Sequence, residues 1–433
     1  LKNPKILGFI DFGDCIKSQL INELAITCTY GIINSLNPLN SACDIVKGFN
    51  QEIPVTEVEI EFLYDLILIR ISISILKSAL NEKYNPENNY LQVSKNDMLS
   101  VFDKWSKIDR GLAIHFFRNA CNFTPNVNEK KFNRLIRQNK SSIDKLFGKN
   151  EIDKLQKLDL SVSSNWLSSD LINDIDLFEK KINQNSSSTF FGGYSEIRAV
   201  YDSSDYERLT ENGFENRTTH LGLDFWVKEK TSIHAIENGI IKIITNDKTK
   251  KGYGGLIIIE HKIDDIKYYS LYGHLENQRK AKIKVGDLVI KGQKIAKIGS
   301  IKENGGWSPH LHFQIMLTLL DYKNDFPGVC LESEKKVWLS ICPNPKLILD
   351  IKETPTKKIH EDKLKVLRKK YLPSNLKLSY NSPIYVVRGF NQYLYSNKGK
   401  KYLDTVNNIA HVGHQNLKVV RAAKEQIGVL NTN

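Results

Sequence analysis

Apolar positions recur along this chain at two different spacings. Over residues 20–33 and 58–80 they fall at mixed helical intervals, and residues 98–123 predict two more helices broken near Gly111. Residues 1–150 thus read as one short strand, at 6–10, followed mostly by helices. The most apolar run, 62–76, is too short to span a bilayer and carries Asp65 and Arg70, so it reads as a buried helix. Residues 151–190 are polar, contain the run Ser186 to Ser188 and lead into a turn at Gly192-Gly193, the pattern of a linker. From about 221 to 317 the period shortens. β-Branched stretches at 240–244, 256–260, 268–272 and 283–290 alternate with turns at Gly286-Asp287 and Gly292-Gln293, which predicts an antiparallel β domain. Residues 351–372 are charged and helical, and 376–433 restart with extended segments before a helix from about Lys418. The expected plan is a multidomain α+β chain: 1–150, a linker at 151–190, a β domain at 191–350, a helical linker at 351–375, and a last portion at 376–433.

Composition narrows the classes. The 433 residues suggest about three domains. With 41% hydrophobic and 26% charged residues the chain is not disordered, and 12 Pro and 25 Gly exclude a collagenous one. The 62 basic and 49 acidic residues leave a net charge of +13. The lysines are interleaved with acids, so the charge reads as a solvated surface, and neither nucleic acid nor membrane is expected as a partner. Six cysteines without a CxxC pair argue against a thiolate zinc site and a disulfide scaffold, and fit a reducing, cytoplasmic setting. Leu1 running straight into an apolar strand, and an end at Asn433 just after a helical stretch, read as an internal fragment of a longer chain.

The candidate chemistry lies in the β domain. His220 and Asp224 are separated by Leu-Gly-Leu, His274 sits in Tyr-Gly-His-Leu, and His310 and His312 form Pro-His-Leu-His-Phe. On a strand, positions 310 and 312 face the same side. Gly222 lets the backbone bend so that His220 and Asp224 aim at one point. Imidazole and carboxylate together suit Zn²⁺, and a catalytic zinc needs three protein ligands. A carboxylate and two histidines meet that number and leave two histidines for proton transfer and oxyanion stabilisation. His115, His234, His261 and His360 read as ordinary polar surface or core residues.

These residues resemble the lysostaphin- and LytM-type zinc metallopeptidases. The likeness also takes in the Gly-Gly-Leu-Ile-Ile-Ile-Glu-His run to His261 and the Val285-Gly-Asp-Leu-Val-Ile-Lys-Gly-Gln turns. It implies that His220, Asp224 and His312 ligate zinc and that His274 and His310 are catalytic, acting on a peptide or cell-wall peptide. The helical segment after Leu317, with Trp338, is a candidate to cover the cleft.

The two ends carry further likenesses. Leu7-Gly-Phe-Ile-Asp11-Phe-Gly-Asp14 resembles the closing part of aminoglycoside-phosphotransferase-like kinases, nearest to hydroxylysine kinases. That resemblance makes Asp11 a magnesium-binding acid in a mostly helical kinase remnant, whose parent uses Mg²⁺ and ATP. Pro383-Ile-Tyr-Val-Val-Arg-Gly and Asn407-Asn-Ile-Ala-His-Val-Gly-His414 resemble the opening of class III aminotransferase-fold enzymes, nearest to pyridoxal-phosphate phospho-lyases. The Schiff-base lysine of such enzymes is not in this chain, so no cofactor-binding residue is assigned here. His411 and His414 lack a third ligand and are not taken as a metal pair. Together the likenesses imply a kinase–peptidase–phospho-lyase fusion acting on an amino alcohol or its phosphate, homo-oligomeric through its aminotransferase-like portion. The alternative is a peptidase-like domain that is a non-catalytic spacer or binding module.

Overall fold

The computed structural model describes residues 8, 13, 15–84, 87, 95–148, 154–168, 171, 174–184, 188–201, 203–210, 213–280, 282–351, 361–376, 378, 380, 382–405 and 410–430. They divide into two units, Leu1–Pro125 and Asn126–Asn433. Asp11 and, apart from Gly8, the strand expected at 6–10 lie outside the described residues.

The first unit contains helices Leu20–Gly31 (α1), Pro38–Glu52 (α2), Glu57–Tyr84 (α3), Lys95–Trp105 (α4) and Arg110–Ala120 (α5). The periodicity gave no warning of α2, yet its start is well signalled: Asn37 caps the backbone N–H of Asn40 and Pro38 occupies the first turn. The break between α4 and α5 falls just before Gly111, where Asp109 caps Leu112. α3 buries Ile60, Leu63, Ile67 and Ile71 but exposes Phe62, Ile69 and Leu76, so the apolar run is one-sided rather than buried throughout. Trp105 stacks between Tyr64 and Phe117 at the centre of this unit.

The second unit is organised by an eight-stranded sheet of Lys154–Lys157 (β1), Ser188–Gly192 (β2), Leu223–Trp226 (β3), Gly239–Asn246 (β4), Gly255–Ile263 (β5), Ile266–Leu275 (β6), Leu288–Val289 (β7) and Leu311–Met316 (β8). Its order is β1-β2-β3-β8-β6-β5-β4-β7. β1 and β2 run parallel and the other neighbours are antiparallel, so the sheet is mixed at one edge. Of the stretch expected at 283–290, only β7 is a strand; Gly286, at φ +95°, turns the chain just before it.

Alternation sets the two faces. Leu223, Phe225, Leu311, Phe313 and Ile315 point into one core, which also takes Phe132 of helix Glu129–Gln138 (α6) and Phe147. Residues 126–148 therefore pack with the sheet, and the division falls at Pro125 instead of 150. The alternate positions Asp224, Trp226, His312 and Gln314 face the other side.

The segment expected to be a linker is a packed part of this unit. It supplies β1, buries Leu158, Leu160, Val162, Leu167 and Leu171, and ends in helix Ile175–Asn183 (α7). Its sparse apolar residues lack a regular period, which is why they read as polar chain. The strands Val386–Phe390, Tyr393–Ser396 and Lys401–Leu403 form a separate small sheet. Arg388 reaches from it, buried, to the carbonyls of Val162, Ser164 and Leu167, at 2.6 Å for Val162 and 2.8 Å for Leu167. Helices Glu361–Tyr371 and Leu417–Val429 match the expected helical stretches. No helix among the described residues is long and apolar enough to cross a membrane.

His261 on β5 is a core residue. Nδ1–H donates to the Asn238 carbonyl, and Nε2 lies 2.6 Å from the Ser270 hydroxyl. Burial pushes its pKa from 6.5 down to about 4. Between those values the unfolded chain binds a proton that the folded chain refuses, so stability falls as pH drops. From pH 7 to 5 this residue should remove about 2 kcal/mol of unfolding free energy. Urea unfolding of wild type and His261→Asn at both pH values checks this; equal acid losses in the two proteins would show that His261 is not the cause.

Candidate metal centre

β3 and β8 are hydrogen-bonded neighbours whose register places His312 directly opposite Asp224, with Gly273 of β6 on the far side of His312. His220 arrives from the short strand Thr219–His220. Gly222, at the bend between His220 and Asp224, matters less for bending than for room. A Cβ there would stand 2.5 Å from His312 Cε1 and Nε2. His220 Nε2 lies 2.9 Å from His312 Nδ1, His312 Nδ1 is 3.1 Å from Asp224 Oδ1, and His220 Nε2 is 3.4 Å from that oxygen.

The outer hydrogen bonds fix what these atoms are. His220 Nδ1 sits 3.1 Å from the Gly193 carbonyl, which can only accept, so Nδ1 carries the proton and Nε2 is a bare lone pair. His312 Nε2 lies 2.9 Å from Gln314 Oε1. The Gln314 amide nitrogen is committed to the Pro327 carbonyl and Cys342 Sγ, so its oxygen faces His312 and accepts from Nε2–H, which in the neutral ring makes Nδ1 the lone pair. Burial pushes His220 down to about 3, keeping it neutral. Burial alone would raise Asp224, but the Arg198 guanidinium, 2.7 Å from Oδ2, holds the carboxyl well below its usual range. Arg198 is in turn paired with Glu196.

Three acceptors thus converge on one point with no proton between them, an arrangement that a cation stabilises. Ions bound at 2.0–2.1 Å in a tetrahedron have ligand–ligand edges of about 3.4 Å, and the three separations observed here are near that value. The donor set, two imidazoles and a carboxylate, suits a divalent transition metal such as zinc. It is the one group of this kind among the described residues.

His274 and His310 stand beside the trio. His310 precedes β8 instead of lying on it, yet its Nε2 comes within 4.0 Å of Asp224 Oδ1. His274 has φ +62° at a register shift between β6 and β5, which turns its side chain out of the strand's alternation. Its ring lies 4.2 Å from that of His310. Nδ1 of His274 donates to the Asn304 carbonyl and Nδ1 of His310 to that of Ser308, so both rings keep Nε2 free. Burial lowers the pKa of both. His411 and His414 are not brought to this site; His414 pairs with Asp404.

The sequence reading missed the residues that orient the set. Gln314 follows His312 at the same two-residue interval that links His310 to His312, a signal that was there to use. Arg198 and the Gly193 carbonyl carry no such mark. Trp338 does not cover the cleft: it is buried against Phe326, and its Nε1 donates to Glu334. A cavity of about 540 Å³ opens on the trio, lined by upstream residues such as Leu160, Phe178 and Tyr201 and, from the segment after Leu317, by residues 325–329.

Residues 218–323 match the model for peptidase family M23. The central sheet carries an M23 domain. The catalytic domain of the antimicrobial peptidase lysostaphin from Staphylococcus simulans is similar at 29% identity, covering 31% of this chain and 81% of that one, with a TM-score of 0.22. The chain is also 43% identical over 68 residues to an alanine–glyoxylate aminotransferase 2-like protein of Drosophila melanogaster, covering 16% of this chain and 14% of that protein. A hydroxylysine kinase of Mus musculus is 35% identical over 91 residues, 21% of this chain and 24% of that one. The chain therefore spans a quarter or less of each of these two relatives.

Within the M23 domain, Gly222→Ala would force a methyl into the His312 ring. We expect a loss of about 1–3 kcal/mol in stability, read by urea unfolding; unchanged stability would mean that His312 can retreat freely.

Proposed function

We propose that the second unit is a zinc metallopeptidase that hydrolyses peptide bonds, with His220, Asp224 and His312 as metal ligands and His274 and His310 as the catalytic pair. The observation that carries this reading is the convergence of His220 Nε2, His312 Nδ1 and Asp224 Oδ1 with their protons directed elsewhere. Zinc held there supplies a Lewis acid that polarises a carbonyl and activates water at neutral pH. The chain's own residues do the rest. Arg198 takes one oxygen of Asp224, leaving the other for the metal. His274 and His310, neutral with Nε2 bare, accept the proton of the attacking water and return it to the departing amine as the C–N bond breaks.

His220→Ala or His312→Ala should lose bound zinc, measured by elemental analysis. His274→Ala and His310→Ala should keep one zinc per chain while peptide cleavage falls at least 100-fold. Cleavage left intact in the second pair would refute their catalytic assignment.

One observation favours a non-catalytic module instead: each of the five residues is at most 6% exposed. The same assay separates the two, because a scaffold would bind zinc yet cleave nothing.

The short matches to a hydroxylysine kinase and an aminotransferase 2-like protein support a parent in which the peptidase domain sits between a kinase, using Mg²⁺ and ATP, and a pyridoxal-phosphate enzyme. In that parent, Asp11 would hold the magnesium. The kinase would phosphorylate an amino alcohol and the lyase would eliminate the phosphate. A coupled assay on the full parent should release inorganic phosphate from an amino alcohol and ATP only when both portions are present; no release with any amino alcohol would end this proposal.

A further inference from the structure

We infer that the cavity over the His/Asp set contains, next to His310, a subsite for a bulky apolar or aromatic side chain of the peptide substrate. The inference rests on the peptidase reading for its substrate class. Trp226 follows Asp224 by two residues on β3 and so faces the same side of the sheet. Its ring stacks on that of His310, with centroids 5.7 Å apart and planes 19° from parallel. Leu160, Leu167, Leu171 and Phe178 pack with Trp226 in one apolar cluster, and together with Ile175 they line the same cavity as His310. Apart from Trp226, all of these wall residues lie upstream of the family-matched segment 218–323.

The wall is also held in place. Arg388 clamps the loop that carries Leu160 and Leu167 through three backbone carbonyls. α7, which carries Ile175 and Phe178, is tied to the same loop by Lys181, whose Nζ donates to the Trp166 carbonyl at 2.7 Å, and by Phe178 packing edge-on against the Trp166 ring. A substrate side chain adjoining the reacting carbonyl therefore meets a preformed hydrocarbon surface. Five of the six wall side chains carry no polar atom and Trp226 offers only its indole, over which the Arg198 guanidinium already lies, so a charged substituent there loses more hydration than the wall returns, while an apolar one is released from water. Because the space is continuous with the His/Asp set, its occupant is part of the molecule being cleaved.

Three probes, titrated into the full chain and followed by calorimetry, test this. Acetohydroxamate carries only a metal-binding group, a benzyl-substituted succinyl hydroxamate adds an aromatic arm, and the matching benzyl amide has the arm alone. The aromatic arm should tighten hydroxamate binding by about tenfold or more. Ile175→Ser and Phe178→Ala should abolish that gain while acetohydroxamate affinity stays unchanged, which also shows that the variants fold. If both hydroxamates bind equally, the subsite is overturned and the zinc reading stands. If only the amide and the benzyl hydroxamate bind, each losing affinity in the variants, and no zinc is present, the subsite stands and the zinc reading falls. Binding of none of the three would overturn both.

Discussion

Two lone pairs and a carboxylate oxygen held within 3.4 Å of one another repel, and with all three residues buried that repulsion is only weakly screened. Left alone, the side chains would rotate apart or share a proton. They do neither because each is tied from behind: His220 to a backbone carbonyl, His312 to an amide oxygen that cannot turn over, and Asp224 to a guanidinium. These ties depend on sheet register, since a slip of one residue between β3 and β8 would send Asp224 or His312 to the opposite face. The large apolar core on that opposite face fixes the register. Core and site are thus two sides of one constraint.

His274 shows what such a site demands from the backbone. A non-glycine residue in the left-handed region costs about 1–3 kcal/mol and persists only where its surroundings enforce it. Here the backbone N–H of His274 is held by the Tyr253 carbonyl and its ring by the Asn304 carbonyl. A regular strand would have pointed the imidazole elsewhere. The irregularity, more than the residue type, makes His274 a neighbour of His310.

Alternation made β4, β5 and β6 legible from sequence, and the imidazole and carboxylate spacing picked out the five side chains that now lie together. What remained hidden follows from how pattern works. The region 154–184 buries its leucines singly, against partners distant in sequence, and no local period reports that. Arg198 and Arg388 look like surface charge in a lysine-rich chain, yet both are buried because each finds acceptors contributed by another segment. α2 was the avoidable omission, since Asn37-Pro38 is a local signal. The positive φ at His274 had no sequence mark beyond the glycine before it.

Arg198 and Gly193 have a consequence for how this domain can travel between genes. Both lie ahead of residue 218, where the family likeness begins, yet they supply the counter-charge of Asp224 and the acceptor of His220. A recombination event with breakpoints at the family boundaries would carry the ligands without their electrostatic support, leaving one carboxylate oxygen dry and unpaired. The smallest inheritable block that keeps its own charge balance therefore starts upstream of Gly193, inside a region whose sequence resembles a spacer. Selection on this centre would be expected to leave its trace there as well as on the histidines.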